Sequence, residues 1–158
     1  MNNPLILFVT PWFVSAFVGW VTAQVIKMTI AVFRGRKLDF RYLISTGGMP
    51  SAHSATVSAL FMSVGLTEGF DQPITMVAMT FAIITMFDAT SVRRAAGNQA
   101  RVLNIMIQEL FRDHKLNHTR LKELLGHTRT EVFAGMTLGL FLGFIVVWLF
   151  DIQSRTHL

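Results

Sequence analysis

The side chains best suited to chemistry in this sequence are ionisable groups that interrupt or flank long apolar runs. Charged groups at membrane depth are costly, so such positions are candidates for function. They come from four separate segments of the chain: Lys27 and Arg34; Ser51 and His53; Asp88, Arg93 and Arg94; His127 and Glu131. Arginine and lysine hold phosphate oxygens, while one histidine can attack phosphorus and another can protonate the leaving oxygen. The mixture therefore predicts binding and transfer of a phosphoryl group.

The segment around Ser51 has two interpretations. Residues 47–51 read Gly-Gly-Met-Pro-Ser, which is typical of a turn followed by a helix that Ser51 or Ser54 caps. A glycine turn before a helix N-terminus is equally an anion site, so Gly48 is a candidate for phosphate binding.

The segment around His127 is also ambiguous. Thr128-x-x-Glu131 is a capping box, which alone would explain the glutamate. His127 and Glu131 are four residues apart, however, so the carboxylate could also hold the imidazole. Both interpretations remain open from the sequence.

Two further groups have simpler explanations. Asp88 is interpreted as a charge partner that neutralises Arg93 or Lys27 near the membrane surface. His114 and His118 have helical i, i+4 spacing and could share a metal ion, but no clear third ligand accompanies them. A solvated helix face is the favoured interpretation, and no metal site is predicted.

The composition indicates what must position these groups. Hydrophobic residues make up 52% and charged residues 15% of the 158 residues, against roughly 25% charged residues in soluble domains. Apolar runs long enough to span lipid must be helical unless they close into a barrel. We therefore expect an all-α polytopic membrane helical bundle, a single domain over 1–158, and not a soluble globular, large multidomain or disordered protein. The expected spans are about 5–33, 49–66, 73–91 and 131–150, with a cytosolic amphipathic segment at about 97–126.

The distribution of charge predicts the orientation. Twelve of the 14 lysines and arginines lie in the loop after the first span or between the third and fourth spans. With four spans these loops share one side, which the positive-inside rule assigns to the cytosol. We expect an inner (cytoplasmic) membrane protein with both termini outside and the candidate site on the cytosolic side. The segment before the first apolar run carries no positive charge, so a cleaved signal peptide is not expected.

Several short patterns resemble the signature blocks of the type-2 phosphatidic acid phosphatases, a superfamily that includes the vanadium haloperoxidases. The blocks of that family read K-x6-R-P, P-S-G-H and S-R-x5-H-x3-D. The matching patterns here are Lys27-x6-Arg34, Pro50-Ser51-Ala52-His53, Arg93-Arg94 and His127-x3-Glu131. Over about residues 20–150 the chain is similar to the divergent bacterial and plant branch of that family.

The chain departs from these blocks at four points. Gly35 replaces the proline, Ala52 replaces the glycine, and Glu131 replaces the aspartate. The third block is split, because 32 residues separate Arg94 from His127 where the family has five. The fold must close this gap in space.

The resemblance implies a role for each matched residue. His127 would be the nucleophile that forms a phosphohistidine, Glu131 would orient it, and His53 would protonate the leaving alkoxide. The phosphate would be held by Lys27, Arg34, Gly48, Ser51, Arg93 and Arg94. This scheme requires no metal or other cofactor.

Three functions compete at this point. The first is an integral-membrane lipid phosphatase that hydrolyses a phosphomonoester or diphosphate on a lipid. The second is a non-catalytic lipid-phosphate binding or transport protein that retains the anion pocket, and the third is a structural or assembly subunit. The expected partners are a lipid phosphate and membrane lipids, with no nucleic acid, and a homodimer is a candidate assembly. Two histidines facing each other across one phosphate-sized gap would favour the enzyme, whereas a through-going polar path would favour transport.

Overall fold

The computed structural model describes residues 4–35, 48–110 and 126–156. All the secondary-structure elements in these residues are helices. A short 3-10 helix, Pro4–Val9, leads into α1, Pro11–Phe33. The other helices are α2, Ala52–Glu68; α3, Pro73–Thr90; α4, Val92–Leu110; and α5, Arg129–Thr156. The predicted all-α fold is confirmed.

Local signals explain where α1 begins. Thr10 caps the helix, because its hydroxyl accepts a hydrogen bond from the Phe13 amide at 3.3 Å. Pro11 occupies the first helical position, where its missing N–H costs nothing. The apolar run expected at 5–33 is therefore divided here into a short 3-10 helix and a long α-helix.

Within the described residues, three helical segments of at least 18 residues are long and apolar enough to cross a membrane. They are Pro11–Phe33, the combined α3 and α4 segment Pro73–Gln108, and Arg129–Thr156. The predicted second span corresponds to α2, whose 17 residues are at the short end of the range for a helix that spans a membrane. Its assignment as a span stays a prediction.

Helix α2 is the interior helix of the bundle, and this position explains its composition. It contacts α1, α3 and α5, and nine of its 17 residues are buried, most of them alanine, serine or glycine. A helix enclosed by protein needs no apolar surface toward lipid, and small residues let neighbouring backbones approach closely.

A seam of small residues joins α2 to α5. A methyl group placed at Gly135 or Gly139 would overlap the carbonyl oxygen of Ser51 or Ala55, and one at Gly143 would lie 2.6 Å from the Ala59 oxygen. Both sets of residues advance by four along their helices in the same direction, so α2 and α5 run parallel. The beginnings of α2 and α5 therefore meet at one end of the bundle.

Helix α1 also packs closely on α2 through a glycine. A methyl group at Gly19 would lie 2.9 Å from the Ala55 oxygen and 3.2 Å from the Ala59 Cβ. Ala55 is thus enclosed between α1 and α5, and it is completely buried.

Helix α4 lies in the region expected to be amphipathic, and it begins at Val92 rather than near residue 97. It packs on α3 alone among the described helices, and it exposes Val102, Leu103 and Met106. An exposed apolar stripe on a polar helix is typical of an interfacial position. Residues 111–125 of the expected segment lie outside the described residues.

Candidate functional site

The centre of the candidate site is the pair formed by His127 and Glu131. His127 Nδ1 lies 3.0 Å from Glu131 Oε2, and His127 is buried, with 3% of its surface exposed. An ionised carboxylate only accepts hydrogen bonds, so Nδ1 carries the proton in this pair. In the neutral imidazole, Nε2 then keeps the lone pair.

The same carboxylate also closes the capping box. Glu131 Oε2 accepts a hydrogen bond from the Thr128 amide at 3.0 Å, and Thr128 Oγ1 accepts one from the Glu131 amide at 3.3 Å. The two interpretations of this segment are therefore both realised. The backbone of the first turn of α5 fixes the carboxylate, and the fixed carboxylate orients the imidazole.

Backbone hydrogen bonds connect this pair to α2 and α3. The Ser51 amide donates to the Glu131 carbonyl at 3.0 Å, and the His127 amide donates to the Ala89 carbonyl at 2.9 Å. Ala89 lies in the last turn of α3, one residue after the half-buried Asp88. The gap in the split third block is thus closed in space, because His127 is attached to the end of the helix that precedes Arg93 and Arg94.

His53 is the second histidine at this end of the bundle. It lies in the first turn of α2 and is exposed. The ring centroids of His53 and His127 are 6.4 Å apart, with 62° between the ring planes. This separation is within the range of directly neighbouring rings.

Lys27 supplies a buried positive charge from α1. Only 7% of its surface is exposed. A methyl group on Gly48 would lie 4.0 Å from Lys27 Cδ, so the turn before α2 packs against the lysine stem. Gly48 has a φ of +96°, a conformation that side chains other than glycine rarely adopt.

Ser51 has a clear structural role. Its hydroxyl accepts hydrogen bonds from the Ser54 amide at 3.3 Å and from the Ser54 hydroxyl at 3.0 Å, and the residue is completely buried. The capping interpretation of this residue is therefore realised, and a role in phosphate binding stays a prediction.

The other predicted residues lie at the ends of helices or outside the described residues. Arg34 is exposed at the C-terminal cap of α1. Arg93 and Arg94 lie in the first turn of α4, and their side chains fall outside the part of the structure that is described. His114 and His118 lie outside the described residues. Among the residues that the structure describes, no cluster of three metal-binding side chains occurs.

Two structural contributions were not anticipated from the sequence. One is the Ala89 carbonyl, which accepts the hydrogen bond from the His127 amide. Because every residue type has this backbone group, the sequence does not reveal its role. The other is the glycine series of α5, Gly135, Gly139 and Gly143, whose i, i+4 spacing is a recognised signal of close helix packing in membranes. These contacts set the register between α2 and α5 and hence the place where His53 meets His127.

Comparison with known proteins agrees with this architecture. The sequence matches the Divergent PAP2 family over residues 8–142. A curated relative from Bacillus subtilis (strain 168), named Uncharacterized membrane protein YuiD, is 43% identical over 147 residues, covering 86% of this chain and 93% of the relative. No solved structure matches the chain. With its long apolar helices and this match over most of its length, the chain is a membrane protein that belongs to the Divergent PAP2 family.

Proposed function

We propose that this protein hydrolyses a phosphomonoester or diphosphate on a lipid through a phosphohistidine intermediate. The observation that carries the proposal is the His127–Glu131 pair, with Nδ1 and Oε2 3.0 Å apart. This contact holds the imidazole in the tautomer whose Nε2 can attack phosphorus.

The reaction has two steps in this proposal. First, the Nε2 lone pair of His127 forms a bond to phosphorus while the bond from phosphorus to the lipid oxygen breaks, and His53 donates a proton to that oxygen. Second, water attacks the phosphohistidine, His53 takes a proton from the water, and phosphate leaves with the Nε2–P bond broken. Glu131 stabilises the positive charge that develops on the ring during attack.

The cationic groups would hold the phosphate. Lys27 is the best placed, since it is buried beside the turn at Gly48. Its charge favours the substrate phosphate and the transition state alike. Arg34 at the end of α1 and Arg93 and Arg94 in the first turn of α4 stay candidates for the same role.

The position of the site supports a lipid substrate. His53 lies in the first turn of α2, and His127 lies two residues before α5. Because both are at one end of a membrane bundle, the reacting group would lie at the depth of a lipid headgroup. The positive charge of the loops supports the cytosolic face of the membrane as the side of this end.

A second function is favoured by two observations. His127 Nε2 is buried, so phosphorus can reach it only after the site opens. The interior of the bundle also carries fully buried hydroxyls away from the site, at Ser15 and Ser63. A binder or transporter of lipid phosphates, without turnover, would need an anion pocket and a polar interior but no accessible nucleophile.

The deciding experiment is phosphate release by the purified protein in detergent from a panel of lipid phosphates and diphosphates. We expect turnover by the unaltered protein and none by His127→Ala, with lipid-phosphate binding largely retained. Trapping of a phosphorylated protein that is stable in base and labile in acid would identify the phosphohistidine.

Glu68→Gln is a matched control for substitutions at Glu131. Glu68 ends α2 at the opposite end of the bundle and is exposed, so its loss should leave turnover unchanged. Hydrolysis by His127→Ala at the rate of the unaltered protein would refute the phosphohistidine mechanism. Binding without any turnover would establish the second function instead.

A further inference from the structure

A crevice opens at the end of the bundle opposite to His127. Its volume is about 490 Å³, which is within the size range of small-molecule sites. It lies between the start of α1, the end of α2 and the last turns of α5. Its main lining residues are Leu66, Thr67, Phe144, Trp148, Asp151 and Ser154.

The crevice changes from apolar to polar along α5. Phe144 and Trp148 form its wall toward the centre of the bundle, while Asp151 and Ser154 lie one to two turns further along. Phe144 and Asp151 are separated by about 10 Å along the helix axis. This gradient matches an amphipathic molecule whose chain points into the membrane and whose polar group points out.

Tryptophan residues indicate the depth of the crevice. The Trp12 indole donates a hydrogen bond of 2.6 Å to the hydroxyl of Thr67, which lines the crevice. Trp148 is 55% exposed on the other side. Tryptophan is enriched at the level of lipid headgroups, so the polar end of the crevice lies where headgroups lie.

The charge at this end favours a cation. The described charged residues here are three carboxylates and one guanidinium, namely Glu68, Asp71, Asp151 and Arg155. Asp151 and Arg155 form an exposed ion pair of 2.9 Å at the rim of the crevice.

We propose that this crevice binds a phospholipid with a primary ammonium headgroup, a function separate from the proposed hydrolysis. The acyl chain lies against Phe144 and Trp148. The ammonium donates hydrogen bonds to the Asp151 carboxylate and the Ser154 hydroxyl, and the lipid phosphate accepts from Arg155. Choline cannot donate these bonds, and a glycerol headgroup supplies no positive charge to Asp151.

The test uses fluorescence quenching by brominated lipids in vesicles of phosphatidylcholine. Two single-tryptophan proteins are compared: one retains Trp148 in the crevice, and the other retains Trp20 on α1, outside the crevice. Both lack Trp12, so they are matched. Trp148 should prefer brominated phosphatidylethanolamine over brominated phosphatidylcholine by about two- to fivefold, the range that one partly exposed ion pair supports, and Trp20 should show no preference.

Charge variants identify the headgroup contact. Asp151→Asn should remove the preference for phosphatidylethanolamine and leave Arg155 free to attract phosphatidylglycerol. Asp151→Asn combined with Arg155→Gln should abolish both preferences. Glu68→Gln, which removes a carboxylate at the same end outside the crevice, should retain most of the preference.

Native mass spectrometry of the unaltered protein provides an independent measurement. Retention of phosphatidylethanolamine over phosphatidylglycerol, lost in Asp151→Asn, is expected. Equal preference at Trp148 and Trp20, or stronger binding of phosphatidylglycerol by the unaltered protein, would overturn the proposal. Neither result depends on whether the protein hydrolyses lipid phosphates.

Discussion

Replacement of Gly139 by alanine tests the seam that joins α2 to α5. In an ordinary helix interior this change is stabilising by about 1 kcal/mol, because alanine has the higher helix propensity. Here the new methyl group would overlap the Ala55 carbonyl oxygen and lie 2.9 Å from the Ala55 C and Cα atoms. Ordinary carbon contacts are about 3.5–4.0 Å, so the two helices have to move apart.

The size of the effect follows from these opposing terms. Extra methyl groups in a well-packed core cost about 1–3 kcal/mol. The atoms met by the new methyl belong to the backbone and cannot rotate away, so the upper half of that range applies. After the gain in helix propensity, the free energy of unfolding should fall by about 1–2 kcal/mol.

The assay is unfolding in mixed detergent micelles, followed by circular dichroism. Gly143→Ala should be milder, because its methyl group would lie 2.6 Å from the Ala59 oxygen and 3.0 Å from Met62 Cβ, which is a less severe overlap than the one at Gly139. Thr137→Ala, on the exposed face of the same helix, is the control and should change stability little. If Gly139→Ala were as stable as the unaltered protein or more so, the close approach of α2 and α5 would be wrong.

Three further predictions concern the site and the orientation. Glu131→Gln should lower turnover by about 10²-fold or more. It should cost little stability, because the amide oxygen of glutamine can still accept the hydrogen bond from the Thr128 amide. Glu131→Ala should lower turnover as well and should also lose about 1 kcal/mol of capping free energy. Steady-state kinetics together with chemical unfolding separate the two variants, and equal stability losses would contradict the double role of the carboxylate. Lys27→Ala should weaken the binding of a lipid phosphate as well as the rate, and an unchanged affinity in an equilibrium binding assay would exclude Lys27 from the anion site. A reporter fused to the C-terminus should be active outside the cytosol, and cytosolic activity there would reverse the predicted orientation.

The sequence was sufficient to predict the class of the fold and the meeting of distant segments. Long apolar runs admit only helices in lipid, and consecutive spans alternate in direction. This alternation predicts that residues near Lys27, Ser51, Asp88 and His127 reach one face, and the structure links α2 and α3 to the start of α5 by hydrogen bonds at Glu131 and His127.

The division of roles within the site was less accessible from the sequence. A serine before a helix is compatible with both capping and anion binding, and only the contacts of Ser51 with Ser54 distinguish which one occupies its hydroxyl. The interior position of α2 was also missed, because the apolar content of a segment does not reveal whether lipid or protein surrounds it. The glycine spacing of α5 did carry that information, since a helix with such a face requires a closely packed partner.

The enclosed position of α2 has a consequence for the biogenesis of the protein. Its buried residues include serines at positions 54, 58 and 63, and a short helix with that content enters lipid poorly by itself. Helix α5, which packs closely on α2, begins about 60 residues later in the chain. During synthesis α2 must therefore be sheltered by α1 or by the insertion machinery until α5 arrives. A chain truncated before Arg129 would lack the helix that packs most closely on α2, so the buried serines of α2 would lose part of their cover.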